Sequence, residues 1–353
     1  MKYIISILLL FSILILKISA QESVFVFYNV ENLFDVKDDP ETADDEFTPE
    51  GDKHWTYERY MEKLDHISHV LVGVGKWQLP GIVGLCEVEN IYVLRDLASN
   101  RLLESCDYHI IHRDSPDERG IDVALLYRED IFKPVYTRWI RVTFKTDTSE
   151  RTRDILYAKG LVFNTDTFHI FINHWPSRYG GVEYSMPRRF ETAYQLWQVT
   201  DSILHHDRKA NILIAGDFND TPEDLSVLHV LKAQTITGGK ARGEGLYNLM
   251  TSIHEEPARG TLKYKSDWEV YDQIIISKNL ALGGDSVKIN RDSVGVYDAD
   301  FLLEKDDRYI GVKPFRTYAG PQYLGGYSDH LPVYLRLFKD GKKESDTITG
   351  RSQ

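Results

Sequence analysis

Two stretches decide how this chain is read: Ala215-Gly216-Asp217-Phe218-Asn219-Asp220, and Tyr327-Ser328-Asp329-His330-Leu331-Pro332. Each sets a metal-binding or proton-transferring side chain against an apolar run. Working outward, the same form recurs in Phe27-Tyr28-Asn29-Val30-Glu31-Asn32, in Gly84-Leu85-Cys86-Glu87-Val88-Glu89 and in Ile172-Asn173-His174-Trp175-Pro176. Singly, each is weak, because a carboxylate after a strand usually caps a turn or helix and a lone histidine is usually a hydrogen-bonded structural residue. All five together are hard to explain as capping; they point to one site at the ends of several buried strands.

The strands themselves are short β-branched and apolar runs, at Val24–Asn29, Gly81–Glu87, Ile121–Tyr127, Leu156–Phe163, Phe168–His174, Asn211–Asp217, Gln273–Ser277 and Pro332–Phe338. Helical spacing of three and four joins Tyr57, Tyr60, Met61, Leu64, Ile67 and Leu71, and again Ala193, Leu196, Trp197, Thr200, Ile203 and Leu204. Alternation of the two types predicts an α/β architecture with helices covering two sheets. No composition shift marks a linker, so residues 21–340 read as one domain, followed by a polar tail at 341–353 that should fray. Residues 1–20 combine Lys2, an apolar run from Ile4 to Leu16 and a small residue at Ala20. That pattern predicts a signal peptide and a secreted or periplasmic mature protein. Cys86 and Cys106 are then permitted to bridge, although Cys86 lies within an apolar strand, where a buried free thiol is the plainer reading.

Lys and Arg number 42 against 54 Asp and Glu, a net charge of −12. This argues against a protein that holds nucleic acid through a wide basic surface. It leaves room for a nuclease whose small site binds one scissile phosphate. Much of the negative charge falls in the segment from Asp35 to Asp52, a solvated loop without EF-hand spacing.

The motif residues form a chemically coherent set. Phosphate-ester hydrolysis needs a hard cation held by carboxylates, a group that activates water and donors for the phosphate oxygens. Glu87, Asp217 and Asp329 are the oxygen ligands available, Asn29 and Asn219 offer amides, and His174 and His330 can exchange protons near neutrality. No Cys/His zinc spacing, Walker loop or Gly-x-Ser-x-Gly elbow competes.

With these residues in hand the chain resembles the endonuclease/exonuclease/phosphatase superfamily, on motifs from Tyr28 to Pro332. The resemblance implies a four-layered α/β sandwich, two central mixed sheets flanked by helices, with the site at one end of the sheets. It also implies roles. Asn29 braces the site, Glu87 is the principal metal carboxylate and Asp329 belongs to a second or shared metal position. Asp217 orients or deprotonates the attacking water, Asn219 contacts phosphate, and His330 stands beside the scissile phosphate, oriented by Asp272. His174 resembles a second histidine of the deoxyribonuclease-like branch. A donor arginine is expected, with Arg153 as the best positional match and Arg178 competing, while Arg119 reads as a loop residue near the site. Glu31 and Glu89 read as supporting residues or as exposed ones. The tyrosines between Tyr318 and Tyr327 read as a stacking platform or as packing. The implied cofactor is Mg²⁺ or Mn²⁺, with Ca²⁺ as a third candidate, and the implied partner is a phosphodiester substrate such as DNA or RNA, with no obligate protein partner and a monomeric state. A phosphatase or phosphodiesterase of lipid headgroups or inositol phosphates shares this core, and an inactive binding protein is the remaining class.

Overall fold

Alternate residues of the run from Asn211 to Asp217 part to opposite faces. Leu213 and Ala215 enter a core shared with Phe25, Phe27, Leu85 and Ile172, whereas Ile212 and Ile214 enter a second core with Ala193 and Leu196. This is the two-residue period of a strand buried on both faces, and it explains why the run is apolar throughout. The computed structural model describes residues 21–339 apart from 77, 237–240, 242 and 290–292. The leader at 1–20 and the tail at 341–353 lie outside the described residues.

In chain order the strands are β1 (Gln21–Leu33), β2 (Ile82–Val88), β3 (His109–Ile111), β4 (Asp122–Tyr127), β5 (Phe132–Ile140), β6 (Ile155–Val162), β7 (Asp166–His174), β8 (Asn211–Asp217), β9 (Ala233–Thr235) and β10 (Leu246–Asn248). They continue with β11 (Leu262–Tyr264), β12 (Asp267–Glu269), β13 (Asp272–Ser277), β14 (Val287–Ile289), β15 (Gly295–Val296), β16 (Leu303–Lys305), β17 (Val312–Pro314), β18 (Tyr318–Ala319), β19 (Gln322–Tyr323) and β20 (Val333–Lys339). One sheet runs β14-β20-β1-β2-β4-β3, with β15 also on β20; the other runs β5-β6-β7-β8-β13-β10-β9. Both are mixed, since β1 and β2 pair in parallel, as do β7 and β8, among antiparallel neighbours. The sheets pack face to face, closely at Gly84, where an added Cβ would lie 2.6 Å from Ile172 Cδ1.

Helix α1 (Tyr57–Gly75) lies against β1 and beside α2 (Ile91–Ala98), while α3 (Val182–His206) sends Ala193 and Leu196 into the second core. Thr56 caps α1 by accepting from Arg59 N, and Asn90 caps α2 by accepting from Tyr92 and Val93 N. The α/β class and the two helix-covered mixed sheets match the sequence reading. Cys86 and Cys106 are free thiols, the first buried.

Candidate active site

The motif residues meet at one end of the paired sheets because the registers put them there. Asp217 ends β8 and is paired on one side with His174 of β7 and on the other with Asp272 of β13. Asn29 of β1 pairs with Cys86 of β2, and the ladder is then broken between Asn29 and Leu33. On the far side of β2 it breaks between Cys86 and Val88, so Glu87 is the extra residue of a bulge. Glu31, Asn32, Glu87 and Asn219 all take left-handed backbone angles, with φ of 51°, 57°, 61° and 49°. Such conformations cost energy in side-chain-bearing residues and cluster where side chains must be re-aimed.

One oxygen is the focus. Asp217 Oδ2 accepts from Asn29 Nδ2 at 3.1 Å and lies 3.7 Å from His174 Nε2 and 3.8 Å from His330 Nε2. Its Oδ1 accepts from the Asn219 backbone N at 2.9 Å. The Asn29 amide also reaches Glu87 Oε1 at 3.3 Å, and Asn32 N donates to Glu87 Oε2 at 3.0 Å. His330 Nδ1 is 2.6 Å from Asp272 Oδ2, and Ser328 Oγ ties the His330 strand entry to the Asn29 carbonyl at 2.8 Å.

The two imidazoles differ in charge. Burial pulls His330 down, but Asp272 and then Asp217 more than reverse this and leave it well above the ordinary histidine value, an imidazolium at neutral pH. His174 is held well below that value, first by burial and then by the Arg153 and Arg119 charges, so it is neutral. Burial raises Asp217 above the usual carboxylate range, with the His330 charge opposing, which makes it a stronger base than an exposed aspartate.

Glu87 and Asp329 are the carboxylates that face solution, with side-chain exposures of 15 % and 33 % against 2 % for Asp217. They are hard oxygen donors beside further carboxylates, a set that fits Mg²⁺, Mn²⁺ or Ca²⁺ and not a softer metal. A separate group, His112, Asp114 and Asp122, brings three ligand atoms within 4.8 Å of one another. It lies where β4 begins, and its donors are spent locally: His112 Nε2 is 3.1 Å from Asp122 Oδ2, and Asp122 Oδ1 accepts from Ser115 N.

The two arginines expected to meet substrate are occupied by protein. Arg153 is buried, donating to Asp117 Oδ2 at 2.9 Å and to the Trp175 carbonyl at 2.7 Å. Arg178 donates to the Asn219 carbonyl and to Asp220 and Asp224, with its guanidinium 4.7 Å from the centre of the Tyr271 ring. Both shape the site from behind. The Asn219 side chain likewise donates to the Trp175 carbonyl at 3.0 Å.

On the Asp329 side the structure buries Glu31, in keeping with the supporting one of its two readings, and adds Lys63 and Arg316, which sequence reasoning missed. Glu31 is buried and accepts from Thr317 N at 2.6 Å, from Tyr318 N and from Arg316 Nε; Arg316 in turn donates to Asp329 Oδ2 at 2.9 Å. Lys63, buried on α1, donates to Thr317 Oγ1 at 2.6 Å and to the Tyr327 carbonyl at 2.7 Å. Its signal was legible: position 63 falls on the apolar stripe between Tyr60 and Ile67. Glu89 is buried as well, accepting from Asp35 N. The loop tyrosines are packing residues: Tyr318 is buried, Tyr323 bonds Glu62, and Tyr327 stacks on His66 at 4.3 Å.

A model described as the Endonuclease/Exonuclease/phosphatase family matches residues 24–339 of this chain. No curated protein matches it. Among solved structures, it is similar to an endonuclease/exonuclease/phosphatase family protein from Bacteroides thetaiotaomicron, at 17% identity and a TM-score of 0.53, covering 91% of this chain and 99% of that one. It is similar to D. rerio TDP2 complexed with single strand DNA product, at 15% identity and 0.52, over 90% and 99%. The human Nocturnin catalytic domain with bound sulfate anion stands at 17% and 0.51, over 91% and 98%. At such identities the likeness is one of fold.

Proposed function

The chain belongs to the endonuclease/exonuclease/phosphatase family, and from that premise we propose that it is a divalent-metal-dependent phosphodiester hydrolase, a nuclease carried out of the cytoplasm by residues 1–20. One observation carries the reading: a single oxygen, Asp217 Oδ2, lies within 3.1 to 3.8 Å of an amide and of two imidazoles, one neutral and one positively charged. Asp217 orients a water and takes its proton, a role that its raised basicity favours. His330, held by Asp272, presents a positive Nε2–H to the phosphoryl oxygens as charge builds there. Asn29 keeps Glu87 and Asp217 in register with each other. His174, neutral, offers Nε2 to the substrate from the opposite strand. Glu87 and Asp329 are the residues that would hold a divalent ion, which when bound supplies charge neutralisation at the phosphate. Nucleic acid is favoured as substrate because a similar structure, D. rerio TDP2, holds a single strand DNA product.

The test is a panel assay of purified residues 21–353 on plasmid DNA, RNA, bis-p-nitrophenyl phosphate, sphingomyelin and inositol phosphates. Hydrolysis of the nucleic acids and the diester is expected, abolished by EDTA and restored by Mg²⁺ or Mn²⁺. Turnover confined to sphingomyelin or inositol phosphates would move the protein to the lipid-headgroup or inositol class, and full activity in chelator would end the metal assignment.

A further inference from the structure

The pair formed by His330 and Asp272 spans the two sheets. Asp272 opens β13 of one, whereas His330 leads into β20 of the other and is fixed there by Ser328, whose Oγ accepts from His330 N at 3.1 Å and donates to the Asn29 carbonyl at 2.8 Å. Strand register sets neighbours within a sheet. It does not set the 2.6 Å contact between these two side chains. Nor does β10 steady the start of β13, since it pairs only with Ile275, Ile276 and Ser277.

Thr261 spans the gap. It is fully buried, and its hydroxyl uses its whole bonding capacity, one donor and two acceptor positions. Oγ1 accepts from Tyr271 N and from Asp272 N, each at 3.1 Å, and donates to the Glu269 carbonyl at 3.5 Å. The Thr261 carbonyl meanwhile accepts from Leu331 N at 2.6 Å, and the next residue, Leu262, bridges His330 in antiparallel fashion. One residue thus holds the backbone of both partners, Asp272 through its side chain and the His330 segment through its main chain. Its own place is firm. Thr261 N donates to the Glu269 carbonyl at 2.7 Å, and Gly260 lets the two segments close up, since a Cβ there would lie 2.5 Å from that oxygen. Farther along β11, Lys263 forms a buried ion pair with Asp306 at 2.9 Å.

We propose that Thr261 is a positioning residue of the site, whose hydroxyl holds the Asp272 backbone at the distance from His330 that lets the two side chains bond. The proposal rests on the hydrolase reading, and its test separates the two. Wild type, Thr261→Val, which keeps the shape and removes the hydroxyl, and Thr261→Ser, which keeps the hydroxyl, are compared by kcat and KM on bis-p-nitrophenyl phosphate at saturating Mn²⁺. In parallel, proton NMR follows the low-field Nδ1–H signal of an imidazole bonded to a carboxylate, identified by its loss in His330→Ala. Expected for Thr261→Val are a fall in kcat of about 10- to 100-fold, the cost of a small displacement of a reacting group, an unchanged KM, and loss of the signal. Thr261→Ser should restore both kcat and the signal. Thr261→Ala also lacks the hydroxyl and carries the same comparison if the valine variant does not fold. An intact signal without the hydroxyl, a rise in KM in place of the fall in kcat, or a serine variant as impaired as the valine one would overturn the assignment. Should the wild type hydrolyse no phosphate ester while the signal still depends on the Thr261 hydroxyl, the hydrolase reading falls and the positioning role stands.

Discussion

At the scale of single residues, Asp217 faces two histidines that the surrounding charges have made unequal. His330 is an imidazolium because Asp272 lies 2.6 Å from its Nδ1, while His174 has a buried Nδ1 with no partner among the described residues. If Asp272 acts only by holding and charging His330, removing either should cost nearly the same, and removing both little more, because groups that act as one unit are not additive. Expected for Asp272→Asn and for His330→Ala is a fall in kcat of about 10²- to 10⁴-fold, with the double variant close to the worse single one. His174→Ala should add its own cost, since it contacts Asp217 from the other strand. Single-turnover hydrolysis of one defined phosphodiester at saturating Mg²⁺ reads all four variants; strictly multiplicative losses for the first pair would mean that they do not form a unit.

Among the elements, α1 and the segment from Phe315 to His330 are the pair that decides whether the site is assembled. Buried Lys63 ties the helix to that segment at both ends, through Thr317 and Tyr327, and burial lowers it to about 8 against the pull of Glu31, Asp329 and Glu87. Lys63→Met keeps the length of the side chain and leaves two acceptors without their donor, a change that should cost about 1–3 kcal/mol. Hydrogen exchange should then speed up from Phe315 to His330 more than in β8, and kcat should fall with it. Uniform exchange across the two would show that α1 does not hold the segment. Elements also differ in how legible they were. The eight strands read from β-branched runs are present; most are buried on both faces, which leaves a continuous apolar signature, whereas β20 alternates buried Val333, Leu335 and Leu337 with half-buried Tyr334 and Arg336. β5 escaped since it is an edge strand, with Pro134 at a register shift and exposed Lys133, Tyr136 and Arg138.

For the whole molecule, the decisive geometry is the spacing of the two sheets. Asn29 and Glu87 belong to one, and His174, Asp217 and Asp272 to the other. Gly84 permits the close approach, with Ile172 Cδ1 at 2.6 Å and Phe27 Cδ2 at 3.2 Å from where a Cβ would be. Gly84→Val should therefore force the sheets apart, destabilising the protein by about 1–3 kcal/mol and lowering kcat by separating Asn29 from Asp217. Urea unfolding and kcat on the same preparation give the answer. Lost stability with wild-type kcat would show that the site does not depend on this spacing.

The sequence by itself determined the α/β class, the strands that end in functional side chains and the inventory of carboxylates, amides and histidines, because burial and chemistry write themselves into residue type and local period. Asn29, Glu87, His174, Asp217, Asn219, Asp329 and His330 were legible in that way, and Asp272 only through the family resemblance. Only the tertiary structure decided that Arg153 and Arg178 are bonded to protein, which histidine is charged, and that Glu31, Lys63 and Arg316 stand together on the Asp329 side. Those properties depend on partners far along the chain: Asn29 and Asp217 are 188 residues apart, Arg153 and Asp117 36, Lys63 and Thr317 254. Charge state and donor availability are set by what each group touches, and sheet register and packing choose those contacts.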